Sequence, residues 1–333
     1  MASRVQGIWM IILSFTIFLF VSCQISASRN DVFLPSVQSV SDSAAQEKRD
    51  KVREDALIKR IQNRTVDAPE LIIEDASPAD STSISIVSWN IRHLGRTKTA
   101  DDIYKIANLL RDYDIVAVQE VVAKDPAGAQ AVAKIADALN RMGFQWDYQV
   151  SDPTQSPSAY ISERYAFLWK PSRVQMVHRA QLDSTLEDLC YREPFVAEFK
   201  QRGRATSFYV VNYHSRKYND KPEEEIIHFI DYPERLKSNR IIIAGDFNLS
   251  ETHDVWRPFY RQGFTHAIRN QPTTLKWKCT EGNYLNHPID NMYFTSDIQK
   301  INAGCIDFVA TCENLEHARE ISDHLPVFME FVY

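Results

Sequence analysis

The stretch RIIIAGDFNLS, Arg240 to Ser250, constrains the fold of this chain more than any other. A β-branched run, Ile241 to Ile243, reads as a buried strand. It ends in Ala244 and Gly245 and then releases a carboxylate and an amide two positions apart, Asp246 and Asn248. Residues two apart on a strand face the same side, so Asp246 and Asn248 converge while Phe247 turns toward the core. Alone this is a strand followed by an Asx turn. Four other stretches repeat the pattern of strand and then polar cluster, and that repetition makes a cleft built from strand ends the better reading.

Ser83 to Ile91 (SISIVSWNI) presents Asn90 and then Arg92. Asp114 to Val118 stops at Gln119 and Glu120, and Tyr165 to Lys170 follows Glu163 and Arg164. Ser207 to Asn212 ends near His214, and Ile289 to Thr295 carries Asp290 and Asn291 at its head. Ile321 to Val332 passes from Ser322, Asp323 and His324 into a terminal strand. Val174 to Arg179 and Phe195 to Lys200 read as further strands. Helices are predicted at Asp102 to Arg111, capped by Asp101, at Ala127 to Arg141, and at Glu223 to Leu236. Strands outnumber helices in mixed order, which predicts two packed sheets with helices outside.

The 333 residues are 44% hydrophobic and 25% charged, an ordinary globular composition. An apolar run from Ile8 to Ser22 after the single basic Arg4 reads as an export signal over 1–22, too short for a membrane span. Val21, Ser22 and Cys23 also resemble a lipobox, with Phe20 where such boxes carry Leu, so secretion and a lipid anchor through Cys23 both stay open. Residues 23–82 are polar and aromatic-poor and read as a tether, with an isolated charged helix at Ala44 to Gln62. The folded domain is expected over 83–333. Removing 1–22 takes away Arg4 and moves the formal charge from −6 to −7, which excludes a general polyanion sponge. Cys190, Cys279, Cys305 and Cys312 allow up to two disulfides in an exported protein, with connectivity open.

In their order and contexts (WNI, QE, GDFN, SDH) these residues resemble the endonuclease/exonuclease/phosphatase superfamily, and within it the deoxyribonuclease I branch. NIRHLGRTK (Asn90 to Lys98), SERYAFLWKP (Ser162 to Pro171) and REP (Arg192 to Pro194) carry that closer likeness. The resemblance implies a four-layer α/β/β/α sandwich of two mixed, mostly antiparallel sheets. It implies a divalent metal, Mg2+ or Mn2+, at Glu120, Asn90 and Asp323, with Asp246 and Asn248 beside it and Ca2+ as a structural or co-activating ion. It implies the pairs His214 with Glu163 and His324 with Asp290, and phosphate contacts from Arg92, Arg192 and Asn248. Val122 and Ile161 depart from the branch, which carries an arginine and a tyrosine there, and Tyr160 is displaced by one.

The activity so implied is an exported, monomeric endonuclease cutting DNA to 5′-phosphate ends by paired-histidine acid-base catalysis. His324 is expected as base and His214 as acid, though near symmetry permits the exchange. A phospholipid or sphingomyelin phosphodiesterase and a non-catalytic binding module are the competing readings. Each residue also has a plain structural explanation, such as Asp290 as a turn former or Arg192 as a solvated ion pair. The other seven histidines (93, 178, 228, 253, 266, 287 and 317) are expected to be structural, and Trp146, Trp169 and Phe208 to lie in the core.

Overall fold

A computed structural model describes residues 82–333. The expected export signal, the charged helix at Ala44 to Gln62, Cys23 and the tether up to Ser81 lie outside these residues.

The alternation of apolar residues assigns each strand to two faces. In β1 (Ile84–Leu94), Ile84 and Ile86 enter one core while Val87, Trp89 and Ile91 enter another. β2 (Ile115–Val122) divides Ile115 and Ala117 from Val116, Val118 and Val121 in the same way. β8 (Phe208–His214) and β9 (Ile241–Asp246) send Phe208, Val210, Ile242 and Ala244 to the first core, and Val211, Tyr213, Ile241 and Ile243 to a third. The shared core therefore lies between two sheets, and each sheet has its own outer core against helices. This is the expected four-layer sandwich.

The first sheet also contains β3 (Asp147–Val150), β4 (Glu163–Trp169), β14 (Gln299–Cys305) and β15 (Val327–Val332), in the order β14-β15-β1-β2-β4-β3. The second contains β5 (Val174–Met176), β6 (Gln181–Leu182), β7 (Phe195–Gln201), β10 (Thr265–His266) and β13 (Asp290–Phe294), in the order β10-β13-β9-β8-β7-β5 with β6 beside β7. The pairs β1–β2 and β8–β9 are parallel and the rest antiparallel. A separate hairpin joins β11 (Leu275–Thr280) to β12 (Asn283–Leu285). Trp146, Trp169 and Phe208 are buried as expected.

α1 (Ala100–Leu110) starts earlier than predicted. Thr99, not Asp101, is its cap, in a capping box with Asp102. α2 (Ala127–Arg141) has its predicted bounds, and Gly143 follows it at φ +115°. Gly128 lets its first turn sit on the end of β2, since a Cβ there would stand 2.1 Å from the Val122 carbonyl oxygen. The single helix predicted over Glu223 to Leu236 is broken into α3 (Glu223–Ile226), a 3-10 stretch (Ile227–Asp231) and α4 (Tyr232–Leu236). Pro233 has no N–H to continue the ladder, so the chain restarts there. α5 (Arg257–Arg261) packs on the second sheet, whose outer core includes Phe259. α6 (Leu315–Ile321) ends just before the Ser322 to His324 triplet, and the terminal strand begins at Val327, two residues later than Leu325. Among the described residues one disulfide, Cys279–Cys312, is formed, whereas Cys190 and Cys305 are free thiols.

Candidate active site

Strand register builds the centre of the site. β8 and β9 pair in parallel with His214 opposite Asp246, and β9 and β13 pair with Asp246 opposite Asp290. Three neighbouring strands thus set His214, Asp246 and Asp290 in a row. Gly245 allows the close approach behind them: its φ is +154°, and a Cβ would lie 1.8 Å from the Tyr213 carbonyl oxygen.

The other sheet supplies the partners. Glu163, at the head of β4, places its carboxylate oxygens 3.1 and 3.0 Å from His214 Nδ1. Asp290 holds His324 Nδ1 at 3.0 and 2.9 Å. An ionised carboxylate only accepts, so each Nδ1 donates and each Nε2 is left for chemistry. Both Nε2 atoms face Asp246 Oδ2, His214 at 3.5 Å and His324 at 3.8 Å. Two imidazoles, each backed by a buried carboxylate, therefore flank one acidic centre.

Asn90 and Glu120 reach this centre through distorted strand ends. The β1–β2 register shifts between Asn90 and Leu94, and the β2–β4 register between Val118 and Val121. Glu120, His93 and Asn248 adopt left-handed backbone at φ +60°, +48° and +51°, a strain that clusters here as it does at functional sites. Asn90 Nδ2 donates to Asp246 at 3.1 Å and to Glu120 at 3.2 Å, and Asn248 N donates to Asp246 Oδ1 at 2.9 Å. Glu120, Glu163, His214, Asp246, Asn248 and His324 line a cleft of about 550 Å³.

Burial pushes the Glu120 carboxyl upward. His214, the His93 N–H and His324 outweigh it and hold the group at about 2. Burial and Arg192 oppose charge on His214, but Glu163 and Asp246 prevail and raise it. Burial likewise opposes charge on His324, yet Asp290 and Asp246 lift it to about 10. Burial also pushes Asp290 upward, so the pair as a unit keeps its proton. Thr273 Oγ1 donates to Asp290 at 2.6 Å, which favours imidazolium beside carboxylate.

Residues 87–324 match the endonuclease/exonuclease/phosphatase family. The chain belongs to that family. A deoxyribonuclease of Thioalkalivibrio sp. (strain K90mix) is 29% identical over 281 residues, covering 78% of this chain and 73% of that protein. Deoxyribonuclease-1 of Bos taurus is 32% identical over 261 residues, covering 74% of this chain and 91% of its own length. A family structure from Bacteroides thetaiotaomicron has a TM-score of 0.55 at 17% identity, covering 75% of this chain and 98% of that one. D. rerio TDP2 complexed with single strand DNA product has a TM-score of 0.52 at 17% identity, covering 75% and 99%. The family member described here stands close to deoxyribonuclease I and is a hydrolase acting on phosphodiester bonds.

Not every residue expected in the site faces it in the same way. Arg192 lines the cleft, but its guanidinium is buried and committed: Nε lies 3.2 Å from the His214 carbonyl and 3.5 Å from Glu163, and Nη2 donates to the Ser215 carbonyl at 2.6 Å. Arg92 leans toward Trp277, 5.9 Å from its ring. Asp323 pairs with Arg319 at 3.5 Å. Among the described residues, Asp246, Asp290 and His324 form a group able to hold a metal ion, with ligand atoms within 4.8 Å of one another. Two of those three already bond each other at 2.9 Å, so Asn90 and Glu120 offer the freer donors. Asn90 Oδ1 is buried with no hydrogen-bond partner beside the ionised Glu120, a donor set that fits a hard divalent cation.

Val122 and Ile161 line the cleft where the branch carries its arginine and tyrosine. Displaced Tyr160 is 90% exposed, with the Lys124 ammonium 5.5 Å from its ring.

Sequence reasoning missed the supports. Thr273 locks Asp290, and Tyr165 Oη accepts from His214 N at 3.2 Å. Glu225 accepts from the backbone of Tyr191 and Arg216, and so ties the Arg192 loop to the turn after His214. Nothing in the sequence around Thr273 or Glu225 marks them, because their partners are remote in the chain. Ser322 did have a signal in the SDH triplet: its Oγ donates to the Asn90 carbonyl at 2.6 Å and accepts from His324 N at 3.1 Å.

Proposed function

We propose that this protein is an exported, divalent-metal-dependent endonuclease that hydrolyses DNA to 5′-phosphate ends. The observation that carries the reading is the pair of imidazoles, each backed by a buried carboxylate, whose Nε2 atoms flank Asp246 at 3.5 and 3.8 Å. Placed on either side of a phosphate, one can take a proton from the attacking water while the other protonates the leaving 3′ oxygen. The P–O3′ bond breaks as the water oxygen bonds phosphorus, leaving a 5′-phosphate and a 3′-hydroxyl.

Both imidazoles are raised and can hold a proton; we assign the donor to His324, and His214 then acts as base. This is the exchange that near symmetry left open. Asp246 orients the water and is itself held by Asn90 and Asn248. Arg192 fixes Glu163 and the His214 backbone, so it acts as a positioning residue. Asn248 supplies a donor to the scissile phosphate, and Arg92, leaning toward Trp277, is placed for the phosphate beyond it. Glu120 and Asn90 Oδ1 would hold Mg2+ or Mn2+, with Asp323 as a further carboxylate nearby in sequence to His324. The ion supplies charge neutralisation for the phosphorane-like state.

Deoxyribonucleases among the curated relatives, and a DNA-bound structural neighbour, support DNA as substrate. The disulfide between Cys279 and Cys312 supports an oxidising destination, as export through 1–22 requires, with Cys23 as the point of a lipid anchor. All the proposed catalytic groups come from one chain, which suits a monomer.

The test is nicking of supercoiled plasmid by the chain from Gln24 onward, in Mg2+ with and without Ca2+, beside an EDTA control. Metal-dependent nicked circles are expected, with His214→Ala reducing the rate on the order of a hundredfold or more. Intact plasmid beside hydrolysis of a phospholipid would overturn the substrate. No turnover of either would return the binding-module reading.

A further inference from the structure

The β11–β12 hairpin carries a surface that the hydrolytic chemistry does not use. Trp277 at its centre is 77% exposed, and its neighbours are Lys276 and Lys278, half-buried and exposed respectively. The Arg319 guanidinium packs 4.0 Å from the indole centroid and Arg92 approaches to 5.9 Å. A single exposed apolar side chain is ordinary on a protein surface. An exposed indole with two guanidiniums against it, on a strand that also carries Lys276 and Lys278, is a local reversal of the field of a chain of net charge −6.

The hairpin is also held rigid and tied to the catalytic segment. Arg319, itself buried, donates to the Leu275 carbonyl at 2.7 Å and the Lys276 carbonyl at 3.2 Å. Cys279 is bonded to Cys312, and Leu275 packs among Val309, Leu315, Ala318 and Leu325. Leu275 N donates to the Asp323 carbonyl at 2.8 Å, and Thr274 bridges to His324. Arg92 joins the two regions: its N–H contacts Ser322 Oγ at 3.3 Å while its guanidinium leans on Trp277. The backbone hydrogen bonds, the disulfide and the Leu275 packing hold the hairpin, and Arg319 covers part of the indole, yet 77% of Trp277 stays exposed to a ligand.

We propose that this hairpin is a docking surface for single-stranded nucleic acid leading away from the scissile phosphate. This deepens the deoxyribonuclease reading and rests on it. Trp277 stacks an unpaired base, and Arg92 takes the neighbouring phosphate. A base inside a duplex has both faces covered by its neighbours, so an exposed indole selects unstacked strands. A bilayer is the poorer occupant. The hairpin turn is Glu281 and Gly282, with Asn283 opening β12, acidic and polar where an inserting tip would be apolar.

The test is binding of a fluorescein-labelled oligothymidylate to the full chain in EDTA, which removes turnover from the readout, with a blunt duplex as comparison. Trp277→Ala is expected to weaken oligothymidylate binding roughly tenfold, the scale of one base stacked on an aromatic ring. Trp277→Phe should keep most of the affinity, and duplex binding should change far less. Equal affinities of wild type and Trp277→Ala would overturn the proposal. So would absence of oligothymidylate binding by the wild type, or a Phe variant as weak as Ala with a lowered melting temperature, which marks a structural role. Trp277-dependent binding to phosphatidylserine vesicles without oligothymidylate binding would make it a membrane surface and also overturn it. Plasmid nicking is read separately: nicking with unchanged Trp277→Ala binding leaves the activity standing without this surface, whereas Trp277-dependent binding without nicking does the reverse.

Discussion

At the residue scale, the proton on His324 makes stability depend on pH. Its folded-state value is about 10 against an ordinary 6.5. A raised value stabilises the fold fully below about 6.5, and that contribution is lost as pH climbs through about 10. In EDTA, the excess stability of wild type over His324→Gln in urea unfolding should therefore shrink steadily from pH 6 to pH 10. A constant difference across that window would contradict the assignment. Glu120 carries the complementary prediction. Held at about 2, it is ionised throughout the working range, so Glu120→Gln removes a full charge from the cation's proposed donor set. The Mg2+ concentration for half-maximal activity should rise at least about tenfold, the scale on which metal sites respond even to lost supporting groups. His214 and Asp246 were legible in the sequence because an apolar run stops at a polar residue, and Glu163, Asp290 and His324 because a polar residue opens one. Thr273 and Glu225 were not, since a buried hydrogen bond between remote segments leaves no local pattern.

At the scale of elements, long periodic segments were read correctly and short ones were lost. α2 kept its predicted bounds because its apolar spacing runs unbroken to Arg141. The helix expected over Glu223 to Leu236 broke because Pro233 overrode that spacing. The two residues of β10 and the three of β12 are too short to show any period. The β11–β12 hairpin owes its place to the Cys279–Cys312 bond, whose connectivity no spacing could reveal. That bond spans 33 residues, and closing such a loop restricts the unfolded chain. Cys279→Ser with Cys312→Ser should cost roughly 2–4 kcal/mol, seen as a melting temperature lower by about 5–15 °C. A double variant that melts with the wild type would show that α6 and Arg319 hold the hairpin unaided.

At the scale of the whole molecule, the sandwich explains why segments far apart in the sequence meet. Both sheets end at one edge, and β1, β2, β4, β8, β9 and β13 each deliver a polar residue there. That convergence was legible because each strand joins a polar residue at one end, after the apolar run in β1, β2, β8 and β9 and before it in β4 and β13. The proton affinity of the two histidines was not, since it follows from the fields of Glu163, Asp290 and Asp246 once packed. The most direct test replaces the scissile 3′ oxygen of a DNA substrate with sulfur, a leaving group that departs without a proton. Single-turnover cleavage by His324→Ala should be slower by about a hundredfold or more on ordinary DNA and largely restored on the sulfur substrate, with His214→Ala impaired on both. Equal impairment of the two variants on both substrates, or restoration of His214→Ala instead, would contradict the paired-histidine account as assigned.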